Sequence, residues 1–129
     1  MKAVIQRVSS ASVLVDGKKI GEIGVGLLIL LGVNQKDMEK DIDYLVKKTA
    51  ELRIFSDDTQ NMNLSVQDVD GEALVVSQFT LCADTRRGRR PSFANAADPK
   101  MAKNMYDQYC RKLQLQKIPV SKGKFGSGM

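Results

Sequence analysis

The sequence predicts an α+β domain, a mixed β-sheet carrying two main helices. Three observations point there. The run Leu27 to Leu31, bounded by Gly26 and Gly32, is apolar without a break, which suits a strand buried on both faces. Asp16-Gly17 and Asp70-Gly71 each stand between apolar-rich runs, and Asp-Gly supplies the positive φ angles that a two-residue hairpin turn needs. Two longer stretches, 37–51 and 98–113, place their apolar residues at helical spacing. At 129 residues the chain reads as one domain, 1–129, long enough to bury a core.

In chain order, Ala3 to Ser9 reads as a first strand with Ala3, Ile5 and Arg7 on one face. The guanidinium of Arg7 is the odd member of that face, and it either snorkels past the strand end or meets a specific acceptor. Ser12 to Val15 and Lys18 to Ile23 form a hairpin about Asp16-Gly17, and Leu27 to Leu31 is the central strand. Over 37–51, Met38, Ile42, Leu45, Val46 and Thr49 make a stripe. Acidic residues gather at its start and Lys47 and Lys48 at its end, the order that complements a helix dipole. That acidic cluster is a solvated face, not a metal site, since no other strong ligand type is paired with it. Arg53 to Phe55 is predicted as a short strand. Val66 to Val69 and Ala73 to Leu81 are predicted as a second hairpin. Asp98-Pro99 starts the last helix, with Asp98 as cap and Pro99 in the first turn. Ile118 to Val120 is an edge-strand candidate because of Pro119.

The stretch Val75 to Ala97 carries the chemistry. Its strand half is interrupted by Ser77, Gln78 and Thr80 around Phe79, which sets three hydrogen-bonding side chains beside a core. Such a cluster serves an internal network or a ligand. Arg86, Arg87, Arg89 and Arg90 follow around Gly88, a guanidinium-rich rim suited to phosphate or carboxylate. Charge is segregated in the same sense: residues 1–83 sum to −3 and residues 84–129 to +8. A polyanionic partner, nucleic acid first, is the expectation.

The chain has no histidine, which removes Ser-His and Cys-His catalysis and the commonest zinc ligand. Cys82 and Cys110 lack CxxC spacing and read as reduced, buried thiols. No metal and no cofactor is expected. No apolar run approaches the roughly 20 residues of a membrane helix, and no signal-peptide pattern opens the chain, so the expected location is the cytoplasm. The hydrolytic chemistry left open is that of hydroxyls, amides, backbone N–H groups and the substrate itself. Thr80 is the one well-placed nucleophile, yet no base lies near it in sequence. Oxyanion stabilisation by the N–H groups of Phe79 and Thr80 is the better use.

Ser77-Gln78-Phe79-Thr80-Leu81, the Gly88 to Phe93 segment and Ala96-Ala97 resemble the signature of the D-aminoacyl-tRNA deacylases. Met1 to Val8, Gly26 to Gly32, Leu52 to Phe55 and Gly123 to Gly126 resemble the same family in the same order. The resemblance implies a strongly curved sheet, barrel-like across a homodimer, and a metal-independent ester hydrolase. Its substrates would be D-aminoacyl-tRNA and mischarged glycyl-tRNA. It implies a pocket formed by Ser77, Gln78, Phe79 and Thr80, with Ala102, Phe125 and Met129 nearby and Arg7 at its edge. Arg86, Arg87, Arg89 and Arg90 are assigned to tRNA phosphates by charge and position alone. The family's last strand, with an Asn-x-Gly-Pro-x-Thr element that excludes L-amino acids from the partner's site, has no counterpart up to Met129. A tRNA-binding module impaired in catalysis is the alternative expectation.

Overall fold

The computed structural model describes residues 1–59, 61–86 and 88–126. Strands β1 (Lys2–Val8), β2 (Ala11–Val15), β3 (Lys18–Ile23) and β4 (Gly26–Gly32) lead to helix α1 (Glu39–Glu51). Strand β5 (Glu72–Ser77), a 3₁₀ turn (Phe79–Cys82), helix α2 (Pro99–Leu115) and strand β6 (Val120–Lys122) complete the order. The architecture is mixed α+β, as expected. Its described strands form two sheets: a four-stranded one in the order β1-β4-β5-β6, and the separate β2-β3 hairpin. Neither closes on itself.

The hairpin forms as predicted because Asp16 and Gly17 both take positive φ, 52° and 77°. In the larger sheet β1 runs antiparallel to β4, while β4–β5 and β5–β6 are parallel. A parallel neighbour requires a crossover, and α1 supplies it between β4 and β5. The apolar run that predicted β4 is buried at Leu27, Ile29 and Leu31, all facing the helices. Its alternate members Leu28 and Leu30 pack with Leu74 and Val76 under Val13 and Ile23 of the hairpin. The sheet is thus covered by helices on one face and by the hairpin on part of the other.

Between the helices Thr49 Oγ1 donates to the Leu45 carbonyl at 2.7 Å and lies 2.7 Å from the Tyr109 hydroxyl. With the threonine proton spent, the phenol is the donor of the second bond. Burial pushes the Tyr109 phenol up to about 12, so it stays neutral and able to donate. Asp98 caps α2 by accepting the Met101 N–H at 3.0 Å, and Pro99 occupies the first turn.

Two predicted strands are not formed. Arg53 to Phe55 reduces to a single bridge, Phe55 with Leu64. Val66 to Val69 is a sequence of turns, so β5 has no hairpin partner before it. The Ser65 N–H donates to Asp68 Oδ2 at 2.9 Å and the Asp68 N–H to Ser65 Oγ at 3.2 Å. That reciprocal local pairing outcompetes a strand ladder, and Val66 plugs the core with no exposure.

Gly26 allows the β4–β5 contact: a Cβ there would stand 1.8 Å from the Glu72 carbonyl oxygen. Gly26→Ala is expected to cost about 4 kcal/mol or more, or to prevent folding, because the obstacle is backbone. Gly17→Ala meets nothing within 4 Å and suffers only its φ of +77°, about 1–2 kcal/mol. Urea unfolding of the two variants checks the ordering.

Candidate active site

The site is built where β5 ends. Ser77 pairs with Leu31, and the Gln78 N–H extends the ladder by one bond to the Leu31 carbonyl at 2.8 Å. There the strand stops, at Ser77 instead of the Leu81 that the Ala73 to Leu81 run predicts, and the chain tightens into the 3₁₀ turn. Leu81 N–H reaches the Gln78 carbonyl at 3.3 Å and Ala83 N–H the Thr80 carbonyl at 3.1 Å. Gly32 makes room, since a Cβ there would lie 2.9 Å from Leu81 Cβ and 3.1 Å from the Gln78 carbonyl oxygen. Phe79 and Thr80 are the first residues of the turn, so their N–H groups have no acceptor within it. The Gln78 amide donates to Thr80 Oγ1, which leaves the threonine proton available to another acceptor.

Ser77, Gln78 and Phe79 form one wall of a cleft of about 700 Å³. Val33, at the end of the central strand, and Phe93, Ala96 and Ala97 form a second wall. Pro99 and Ala102 of α2, with Phe125 and Gly126, close the third. Of the residues assigned to the pocket, Ser77, Gln78, Phe79, Ala102 and Phe125 therefore meet, and Thr80 stands at the rim on the same turn. Phe79 and Phe93 pack edge to face with centroids 5.1 Å apart, leaving 59% of Phe79 exposed at the mouth. Phe125 lies 5.9 Å from the Tyr106 ring. The Tyr106 hydroxyl donates to the Val75 carbonyl at 2.5 Å, and the Gly123 N–H reaches the same oxygen at 3.1 Å. One carbonyl of β5 thus fastens both α2 and the segment that carries Phe125.

Arg7 is not at this cleft. It stands four residues along β1 from Ala3, the partner of Leu31, so roughly 13 Å from the Ser77 end at about 3.3 Å per residue. Its guanidinium donates to the Ile54 carbonyl at 2.9 Å, which answers why that face tolerates a cation. Met129 and Arg87 lie outside the described residues. Val33 and Pro99 line the cleft, although the sequence did not single out Val33 and marked Pro99 only as a helix start. Their type gives no signal, and only the fold brings them there.

The basic loop is closed at its base by two backbone bonds, Asp84 N–H to the Ser92 carbonyl at 2.6 Å and the reverse at 2.7 Å. Gly88 turns it with φ +78°. Arg86 is engaged: its Nε and Nη2 donate to the two Asp84 oxygens at 3.0 and 2.9 Å. Those hydrogen bonds hold the Asp84 carboxyl down to about 2. Arg89 and Arg90 are exposed and have no acidic partner among the described residues. Both cysteines are buried free thiols. Burial pushes Cys110 up to about 12 and also raises Cys82, against a partial opposing pull from nearby positive charges that include Lys2. Neither is a ready nucleophile.

The arrangement defines a class: a small α+β protein with a histidine-free site of amide, hydroxyl and backbone donors, set on an apolar cleft beside a cationic loop. Comparison with known proteins sharpens it. The family model described as D-Tyr-tRNA(Tyr) deacylase matches residues 4–129. The D-aminoacyl-tRNA deacylase of Roseiflexus castenholzii is 57% identical over 129 residues, covering all of this chain and 82% of that protein. That of Clostridioides difficile is 50% identical, with 100% and 87% covered. The solved structure of a c-Myc DNA unwinding element binding protein superposes with a TM-score of 0.92 at 37% identity, over 99% of this chain and 87% of that one. A "probable eukaryotic D-amino acid tRNA deacylase" shares the fold, with a TM-score of 0.81 at 16% identity over 98% and 89% of the two chains. This chain belongs to the D-Tyr-tRNA(Tyr) deacylase family.

The Asp84 carboxyl gives a pH test of the loop. A depressed carboxylate holds its native contacts above its unfolded pKa and loses them as pH falls through the folded one, here between about 4 and about 2. The Asp84 side-chain carbonyl resonance should titrate near 2, and Arg86→Ala should return it toward the ordinary carboxylate range.

Proposed function

We propose that this protein hydrolyses the ester joining a D-amino acid, or mischarged glycine, to tRNA, a chiral proofreading activity exercised in the cytoplasm by the single domain 1–129. The observation that carries the reading is identity of 50–57% over the whole chain to D-aminoacyl-tRNA deacylases. The cleft at the Ser77 to Thr80 segment supplies a site that such chemistry can use. The alternative of a binding module without catalysis draws no support from these relatives.

In this reading the aminoacyl group enters the apolar cleft, with Ala102 and Phe125 shaping its far wall. The Phe79 and Thr80 N–H groups, left without acceptors in their own turn, stabilise the oxyanion of the tetrahedral intermediate. An aminoacyl ester is already activated, and the neighbouring ribose 2′-hydroxyl orients the attacking water, so no protein base is required. Gln78 holds the Thr80 hydroxyl through its amide. Ser77 fixes the end of the strand that aims the turn. Arg89 and Arg90 meet phosphate, whereas Arg86 is largely spent on Asp84 and contributes less.

The protein acts as a homodimer, and the barrel-like closure of the sheet is completed only across two copies. Support comes from the edge strand β1. Val4, on the face turned away from the helices beside Leu30, is 50% exposed, and the hairpin does not reach it. Apolar surface on an unpaired edge is a surface for a second copy. A border role for Arg7 then belongs to the cleft of the other subunit, because its own is at the far end of the strand.

Single-turnover hydrolysis of a D-aminoacyl-tRNA tests the reading. Thr80→Val should slow it by about tenfold if backbone donors carry the chemistry, whereas loss of a nucleophile would cost roughly a thousandfold or more. Light scattering at micromolar concentration should give twice the 14.3 kDa chain mass; a monomer there would count against the shared barrel.

A further inference from the structure

Beside the apolar cleft lies a second, smaller groove that the proposed chemistry does not use. It encloses about 290 Å³ and is lined by Lys2, Asn34, Cys82, Asp84, Arg86 and Asn95, among others. At this volume it sits at the small end of ligand pockets, about 300 Å³ and upward. Its lining is mostly polar, in contrast with the neighbouring cleft.

The two depressions share a partition. Asn34 and Ala96 form an antiparallel bridge, with the Gln35 N–H donating to the Asn95 carbonyl and the Ala97 N–H to the Val33 carbonyl, at 2.9 and 3.0 Å. Val33, Ala96 and Ala97 face the apolar cleft, while Asn34 and Asn95 face the groove. The 3₁₀ turn is divided in the same way, with Phe79 in the cleft and Cys82 in the groove. A ligand held at Phe79 and Thr80 therefore meets the groove as it leaves the cleft on that side.

Charge selects what the groove takes. The Asp84 and Arg86 charges compensate each other across two side-chain hydrogen bonds. Lys2 is exposed and has no acidic partner among the described residues, so the groove keeps one uncompensated cation. The side-chain amides of Asn34 and Asn95 add neutral donors and acceptors. An ammonium flanked by amides suits a phosphate joined to a sugar or base, and less well an apolar group.

We infer that this groove, with Lys2 as its cation, is the subsite for the nucleotide that precedes the aminoacylated terminal one, and that Lys2 contacts the phosphate linking the two. The inference rests on the proposed deacylase reading and extends it from the ester to the path of the RNA. It makes Lys2 a binding residue outside the basic loop, acting on the RNA but not on the ester.

Two substrates separate the outcomes: a D-aminoacyl-tRNA, and the same D-amino acid esterified to adenosine alone, which lacks the linking phosphate. Lys2→Gln should lower kcat/KM for the tRNA by about three- to tenfold, mainly through KM. The salt dependence should become shallower by about 0.7 in slope, the value for one contact to a single strand. Hydrolysis of the adenosine ester should be unchanged. Lys2→Glu should deepen the loss for the tRNA only. Equal losses on both substrates would overturn the inference by making Lys2 structural. So would no loss on either, or the same salt signature arising instead from Lys100→Gln or Lys124→Gln, lysines next in sequence to Pro99 and Phe125 of the apolar cleft. Wild-type protein inactive on both esters would overturn the deacylase reading itself, an outcome distinct from these.

Discussion

The close parallel pairing of β4 with β5 is the constraint on which the rest depends. Gly26 admits the Glu72 backbone at one end of the pair and Gly32 admits the 3₁₀ turn at the other. Between them Leu27, Ile29, Leu31, Ala73 and Val75 make the buried centre of the helix-side core. Because the pairing is parallel, both strands end on the same side, and the Ser77 to Thr80 segment emerges there alongside the end of β4. A hairpin would have left the two strand ends on opposite edges and the cleft without its second wall.

Given that frame, the absence of histidine ceases to be a puzzle. Ending a strand abruptly and turning at once into 3₁₀ geometry leaves backbone donors unspent, and these need neither a particular protonation state nor a side-chain rotamer. The electrostatics divide accordingly. Titratable groups that are strongly shifted, Tyr109 and Cys110, lie in the core and are held neutral by burial. At the cleft rim Asp84 is shifted in the opposite direction, by hydrogen bonds from Arg86. On the proposed reading, the polar chemistry is carried by groups that do not titrate near neutrality.

Much of this was legible in the sequence, and the failures have physical causes. The apolar run at Leu27, the Asp16-Gly17 turn and the Asp98-Pro99 start are local signals, and the structure obeys each. Val66 to Val69 has strand-like composition, yet the Ser65 and Asp68 side chains each capture a backbone N–H three residues away and fold it into turns. The polar interruption at Ser77 to Thr80 was visible, but not that it marks the strand's end, because that end is set by Gly32 on another strand. The guanidinium cluster was legible as charge only; that Arg86 is tied back to Asp84 depends on the loop's closure. Lys2 gave no signal at all, since an isolated lysine on a first strand acquires a context only through the distant Asn34 to Asn95 seam.

The apolar cleft has a firm floor and slight walls. Ser77 and Gln78 continue a core strand, but Ala96, Ala97 and Ala102, three methyl groups on half-buried backbone, form much of what surrounds them. Ala97 and Ala102 also pack against the helix-side core, so the same small side chains bound the space offered to a ligand and close the edge of that core. On the proposed reading, a larger side chain at one of these alanines would narrow the range of accepted aminoacyl groups, while the strand end that presents the backbone donors stays as it is.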